Sequence, residues 1–94
     1  MKLYVDDVRT PPPGWGLART VKEAIGTLEG GGVTEVSLDY FIGDGEGGTF
    51  LPVAHYIAEM PPDRRPHRVL LHTASDAGAA KLAQALGSKV PYAR

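Results

Sequence analysis

Short apolar runs recur along the chain, separated by glycine, proline and charged residues. Runs of this length are typical of strands that lie buried beneath helices. They predict four strands, of which the second contains a glycine and is the weakest: residues 3–5, 15–19, 33–38 and 68–72. The tail, residues 88–94, is compatible with a fifth edge strand or with a loose end.

Three other segments carry apolar residues at helical spacing. The first begins with a capping box, in which Thr20 is the N-cap and Glu23 follows three residues later, and it ends at Gly30. The second covers residues 49–60 and has Thr49 as its expected N-cap. The third covers residues 76–86. Strands and helices therefore alternate, an order that favours an α/β fold with a parallel sheet.

No helix joins the first two predicted strands. Residues 8–14 contain three consecutive prolines, and in polyproline II geometry seven residues cover about 22 Å, more than the roughly 17 Å of a five-residue strand. We therefore expect an extended crossover between parallel strands, with an antiparallel, hairpin-like pair as the alternative.

Glycine is densest in residues 43–48, which lack the lysine of a P-loop and predict a flexible loop after the third strand.

Composition and charge restrict the classes of function. The 94 residues fit one domain, which we expect to span residues 1–94. The absence of cysteine excludes disulfides, thiol nucleophiles and cysteine-based zinc sites, and it fits a cytoplasmic location. Ten Lys and Arg against eleven Asp and Glu give no reason to expect nonspecific binding to nucleic acid or membranes. We also expect neither a membrane span nor a signal peptide, since the apolar runs are too short.

Polar side chains follow three of the predicted strands. Asp6 and Asp7 follow the first, Asp39 the third, and His72 and Thr73 the fourth. Because ligands bind beyond the carboxyl ends of parallel strands, we expect these groups to share one edge of the sheet. Neighbouring carboxylates repel one another unless a cation lies between them, and hard oxygen ligands suit Mg²⁺ or another divalent cation. Each aspartate alone is also compatible with a role in the turn after its strand.

Phosphate is the ligand that the remaining polar residues favour. Arg9 and Arg19 flank the same edge, and arginine binds phosphate in a bidentate manner, although either residue could instead pair with an aspartate. Ser75 stands at the start of the third helix, where it would donate to a phosphate or simply cap the helix. Thr73 has the same two interpretations. His72 is of the residue type that most often transfers protons near neutral pH.

The order of these motifs resembles the cyclic-phosphate processing receiver domain family, a small relative of the receiver domains of two-component signalling. The resemblance covers roughly residues 3–80. It rests on four motifs in order. Residues 6–15 hold an acidic pair followed by arginine, prolines and Gly-Trp, and residues 20–25 hold a Thr and the start of a Glu-Ala-Ile helix. Residues 37–39 are Ser-Leu-Asp, and residues 72–74 are His-Thr-Ala. It implies a truncated receiver fold, which is an α/β three-layer sandwich with a short, mostly parallel sheet of four or five strands in the flavodoxin-like order 2-1-3-4.

The resemblance also implies an activity, the processing of cyclic phosphate ends on nucleotides or RNA by a metal-assisted phosphoesterase. The implied roles are Mg²⁺ binding by Asp6, Asp7 and Asp39, catalysis by Asp39, His72 and Thr73, and phosphate binding by Arg9, Arg19 and Ser75.

The chain differs from the family pattern at two places. The family commonly has His-Asp after Ser-Leu-Asp, where this chain has Tyr40 and Phe41, and it commonly has Asn where this chain has Ser75. These differences leave open an alternative function, a non-catalytic degenerate receiver that binds a protein partner. Phosphoryl transfer to Asp39 is a third hypothesis, disfavoured because no lysine is suitably placed.

Overall fold

Five strands form one parallel sheet in the computed structural model of the protein, which describes residues 1–43 and 45–94. The strand order is β2-β1-β3-β4-β5. The elements, in chain order, are β1 (Lys2–Val5), β2 (Trp15–Ala18), α1 (Val21–Glu29), β3 (Glu35–Leu38), α2 (Leu51–Glu59), β4 (Arg68–Leu71), α3 (Asp76–Leu86) and β5 (Tyr92–Ala93). The predicted α/β class and strand order are confirmed, and the tail supplies the fifth strand.

The first two strands pair in parallel, which confirms the extended crossover and shows that the hairpin-like alternative was wrong. Lys2 aligns with Trp15 at one end of the pair, and Val5 aligns with Ala18 at the other. The connection ends in a turn in which the Trp15 N–H donates to the carbonyl of Pro12. The three prolines thus replace a crossover helix.

One face of the sheet forms the hydrophobic core with the helices. Alternate positions of the central strands point into it and are almost completely buried: Leu3, Val5, Val36, Leu38, Val69 and Leu71. Helix α2 contacts both α1 and α3. From β2 onwards the chain moves across the sheet in one direction, through β3 and β4 to β5, with one helix in each connection. Because such crossovers are right-handed, all three helices lie on this face. The connection between β1 and β2 runs in the opposite direction, so the extended segment 8–14 crosses on the other face, and every residue of this segment except Pro11 is exposed.

The helix starts follow the sequence in two of three cases. Thr20 accepts a hydrogen bond from the Glu23 N–H of α1 at 3.0 Å. The hydroxyl of Ser75 accepts one from the Gly78 N–H of α3 at 2.9 Å. The third start differs by one residue: Phe50 occupies the N-cap position of α2 without a side-chain cap bond, and the expected cap, Thr49, lies one residue earlier, where its hydroxyl accepts a hydrogen bond from the Leu51 N–H at 3.2 Å.

An antiparallel bridge between Phe41 and Thr49 closes the loop that follows β3. The Ile42 N–H donates to the Gly48 carbonyl at 2.9 Å, and the Phe50 N–H donates to the Tyr40 carbonyl at 2.7 Å. Asp44, within the glycine-rich loop expected to be flexible, lies outside the described residues, so that expectation stays a prediction. Among the helices of the described chain, none is long and apolar enough to cross a membrane.

Candidate functional site

Three polar residues form a row at the carboxyl edge of the sheet. Val5, Leu38 and Leu71 align across β1, β3 and β4, so the next residue of each strand is Asp6, Asp39 or His72. Sheet-like hydrogen bonds continue through these residues, because the Asp39 N–H donates to the Val5 carbonyl and the His72 N–H to the Leu38 carbonyl. Their side-chain ligand atoms lie within 4.8 Å of one another. The backbone register therefore brings the row together.

Asp6, the member of the row that follows β1, is fully buried. Its Oδ1 accepts hydrogen bonds from the backbone N–H groups of Val8 and Arg9, both at 2.9 Å. Its Oδ2 lies 2.9 Å from Nε2 of His72. Burial by itself raises the pKa of Asp6, but the two backbone donors and the hydrogen bond and charge of His72 outweigh it and hold the pKa below the ordinary value of 3.8. Asp6 is thus a carboxylate near neutral pH.

His72 is held on three sides. Besides Asp6 at Nε2, its Nδ1 lies 2.7 Å from the hydroxyl oxygen of Ser37. Its ring stacks on Tyr4, with centroids 4.4 Å apart and planes 5° from parallel. The sequence analysis missed both Ser37 and Tyr4. The available signal was the two-residue period of a strand, which puts Tyr4 on the same face as Asp6 and Ser37 on the same face as Asp39.

The two other predicted carboxylate ligands differ in position. Asp39 belongs to the row, and its Oδ1 accepts a hydrogen bond from the Tyr40 N–H at 2.7 Å. Asp7 turns towards the glycine-rich loop, where its Oδ2 accepts a hydrogen bond from the Gly43 N–H at 2.6 Å. Asp7 is thus placed to anchor the loop, and its role as a metal ligand stays a prediction.

The two arginines lie on either side of the segment that follows β1. Arg9 donates through Nη1 to the carbonyl of His72 at 3.2 Å, and its Nε lies 3.9 Å from Oδ2 of Asp6. Its side chain is 50% exposed, so it can reach a ligand at this edge. Arg19 donates through Nη1 to the carbonyls of Arg9 and Asp6, at 2.8 and 3.3 Å. Arg19 therefore fixes the backbone from which Arg9 projects, and its own contact with phosphate stays a prediction.

The hydroxyls after β4 are engaged in the local turn. Thr73 is buried, and its hydroxyl accepts a hydrogen bond from the Ser75 N–H at 3.2 Å. Ser75 caps α3, the structural alternative that its sequence position allowed. Arg94, which the sequence analysis missed, pairs with Asp76 at 2.6 Å and donates to the Thr73 carbonyl at 3.4 Å. The catalytic role of Thr73 and the phosphate-binding role of Ser75 stay predictions.

The donor set of the row fits a divalent cation in number and spacing. Asp6 and Asp39 supply hard oxygen ligands, and His72 supplies an imidazole nitrogen. Both His72 nitrogens are hydrogen-bonded, to Asp6 and to Ser37, so the imidazole would coordinate a cation only by giving up one of these bonds. The cluster could therefore bind metal, with the carboxylates as its first ligands.

Comparison with known families decides what kind of domain carries this site. A family model described as the cyclic-phosphate processing receiver domain matches residues 1–88 of the chain. The chain belongs to this family. Neither a curated protein nor a solved structure gives a significant match. In this cyclic-phosphate processing receiver domain, the Asp6–Asp39–His72 row occupies the carboxyl edge of the sheet, where ligands of such α/β folds bind.

Proposed function

We propose that this receiver domain processes cyclic phosphate esters at the row formed by Asp6, Asp39 and His72. The observation that carries the proposal is the 2.9 Å contact between His72 Nε2 and Asp6 Oδ2, beside a second carboxylate and a half-exposed arginine. A histidine paired with a buried carboxylate is suited to proton transfer. The family match supplies the chemical class of the substrate.

The roles follow from the hydrogen bonds. Hydrolysis adds water to the phosphorus and breaks one P–O bond of the ring, so the water loses a proton and the freed sugar oxygen gains one. His72 is the proton-transfer group, since its imidazole is 16% exposed beside the carboxylate row, and it exchanges a proton with the substrate by giving up one of its two ring hydrogen bonds. Asp6 stabilises the positive charge that His72 acquires when it takes up a proton. Arg9 binds the phosphate oxygens, because its exposed guanidinium stands beside the same row. The substrate class that fits is a cyclic phosphate on a nucleotide or on an RNA end.

A divalent cation completes this proposal. Asp6 and Asp39 would hold it, and when bound it would offset the negative charge of the phosphate and polarise a phosphoryl oxygen. Mg²⁺ and Mn²⁺ are the ions that carboxylate ligands favour, and Mn²⁺ also accepts an imidazole. The absence of cysteine fits the cytoplasm as the place of action.

The test is turnover of a 2′,3′-cyclic nucleotide, followed by ³¹P NMR with Mg²⁺, with Mn²⁺ and with a chelator. We expect the wild type to open the ring in the presence of metal and Asp39→Asn to lose at least about 100-fold in rate, as expected when charge at the reacting centre is removed. Asp63→Asn, which removes an exposed carboxylate from the loop before β4, is the matched control and should retain full activity. Absence of wild-type turnover under every metal condition would refute the catalytic proposal.

The alternative function is a receiver that binds a protein partner without chemistry. One observation favours it: the side chain of Phe41, directly after the site, is 55% exposed. It packs edge-on against Tyr40 with ring centroids 4.9 Å apart, so it is held in place at the surface. Calorimetric titration separates the two functions, because a purely protein-binding domain should bind neither metal nor cyclic nucleotide.

A further inference from the structure

Ser37 lies beneath the imidazole of His72, on the face of the sheet opposite the helix-covered core. Its hydroxyl oxygen is 2.7 Å from His72 Nδ1, one of the shortest side-chain contacts at this edge. The residue is 5% exposed and stands on β3, two positions before Asp39. A strand residue with this burial has little freedom to move, so the contact fixes one side of the ring.

The contact between His72 and Asp6, on the other side of the ring, determines which atom donates in the Ser37–His72 hydrogen bond. The Asp6 carboxylate can only accept hydrogen bonds, so Nε2 of His72 carries the hydrogen that joins them. In the neutral ring Nδ1 is then the acceptor, and the Ser37 hydroxyl donates to it.

We propose that Ser37 is a positioning residue for His72, whose hydroxyl holds the Nδ1 side of the imidazole ring in place. A carbonyl or a carboxylate at this position could only accept and would fix Nδ1 as a donor. A hydroxyl can donate, so Nδ1 accepts from Ser37 while Nε2 donates to Asp6, and the two contacts together fix the orientation of the ring. This inference rests on the proposed function for its catalytic consequence, but the contact itself is testable without any substrate.

Burial decides between this role and a nucleophilic serine. Asp6, His72 and Ser37 follow the Asp–His–Ser order of serine hydrolases, in which the serine attacks the substrate, but the ring nitrogens are exchanged: here Nε2 faces the aspartate and Nδ1 the serine. A nucleophile must contact the reacting atom, and a side chain that is 5% exposed beneath the histidine ring is poorly placed to do so. Ser37 therefore acts through His72.

The direct test is ¹⁵N NMR of histidine-labelled protein without metal or substrate, at a pH where the signals show a neutral ring. We expect the wild-type His72 signals to show a protonated Nε2 and an Nδ1 that accepts a hydrogen bond. In Ser37→Ala the Nδ1 signal should move to higher chemical shift, as for a nitrogen that loses its donor, and Ser37→Thr should keep the wild-type signal. His55 and His67, both exposed, are internal references, and Thr27→Ala is the control for loss of a distant hydroxyl.

Turnover of a 2′,3′-cyclic nucleotide provides the second arm. Ser37→Ala should lower kcat by about 10- to 100-fold with KM within about twofold, the effect typical of residues that orient a functional ligand, and Ser37→Thr should recover most of the loss. An unchanged Nδ1 signal in Ser37→Ala would overturn the inference, and so would covalent labelling of wild-type Ser37 by a fluorophosphonate, which would make it a nucleophile. If the wild type shows no turnover, the proposed function fails and the NMR result alone decides the inference.

Discussion

The imidazole of His72 lies flat on the phenol ring of Tyr4, with the two planes within 5° of each other and the centroids 4.4 Å apart. Tyr4 belongs to β1 and His72 follows β4, so the stack spans β3 and links the two strands that flank it. Trp15 packs edge-on against the same tyrosine at 6.4 Å. Tyr4 and Trp15 thus form an aromatic layer on which the His72 ring packs.

The first prediction concerns this stack. We expect Tyr4→Phe to keep the position of the His72 ring and Tyr4→Leu to release it, because only an aromatic ring offers a flat surface. Tyr4→Leu should also lower the free energy of unfolding by about 1–3 kcal/mol through lost packing at a buried position. Chemical denaturation and the His72 NMR signals measure the two effects. Equal behaviour of the two variants would show that the stack does not position the ring.

The second prediction concerns the packing of Tyr40 against α3. A Cβ added at Gly78 would lie 2.7–2.9 Å from the Cβ, Cγ and Cδ2 atoms of Tyr40, the part of that side chain nearest its own backbone. We expect Gly78→Ala to lower the free energy of unfolding by about 1–3 kcal/mol, since neither element can move aside cheaply. Gly26→Ala in α1 is the control and should be neutral or stabilising by up to about 1 kcal/mol, because no described residue beyond its neighbours in α1 lies within 4 Å of a Cβ added there. Similar effects of the two substitutions would contradict this account of the packing.

The third prediction is a dependence of stability on pH that originates at Asp6. The groups that face it are His72, Arg9 and the carboxylate of Asp39. Burial raises the pKa of Asp6, but its hydrogen bonds and the charge of His72 lower it overall, to below 3.8. A group whose pKa is lowered by folding stabilises the fold above its unfolded pKa, and this contribution is lost as the pH falls through the folded pKa.

The measurement for this third prediction is the free energy of unfolding of wild type and Asp6→Asn, in chelator, from pH 6 downwards. We expect wild type to be the more stable at pH 6 and the difference to shrink as the pH falls below about 4. A difference that stays constant down to pH 2 would show that the ionised form of Asp6 is not the stabilising one.

The fourth prediction concerns the cation. Mn²⁺ or Mg²⁺ should raise the melting temperature of wild type, because a ligand at 100 times its Kd stabilises the folded state by about 2.7 kcal/mol. Asp39→Asn should lose most of this shift, whereas Asp63→Asn should keep it. An equal shift in all three proteins would indicate nonspecific binding elsewhere on the surface.

The sequence was sufficient to predict the architecture because local signals agreed with one another. The three prolines after β1 indicated an extended crossover, and the capping box at Thr20 located the start of α1. The start of α2 was placed one residue too early: the backbone of Thr49 forms a bridge with Phe41, while its hydroxyl still accepts a hydrogen bond from the Leu51 N–H. Local propensity contains no information about such a partner.

The candidate site was only partly predictable for a similar reason. Strand ends identified Asp6, Asp39 and His72, since the carboxyl edge of a parallel sheet collects them whatever their rotamers. Asp7 could not be distinguished from Asp6 in the sequence, but the structure turns it towards Gly43. Ser37 escaped notice because its role depends on how the His72 ring folds back over β3.

The central claim is that the Asp6–Asp39–His72 row acts on a cyclic phosphate. The most direct test is single-turnover ³¹P NMR of a 2′,3′-cyclic nucleotide with an excess of wild type or His72→Gln, in Mn²⁺. We expect the cyclic phosphate signal to be replaced by a monoester signal with wild type and to persist with His72→Gln, while His55→Gln, a change at an exposed histidine, behaves as wild type. Ring opening at the same rate by His72→Gln and wild type would contradict the claim.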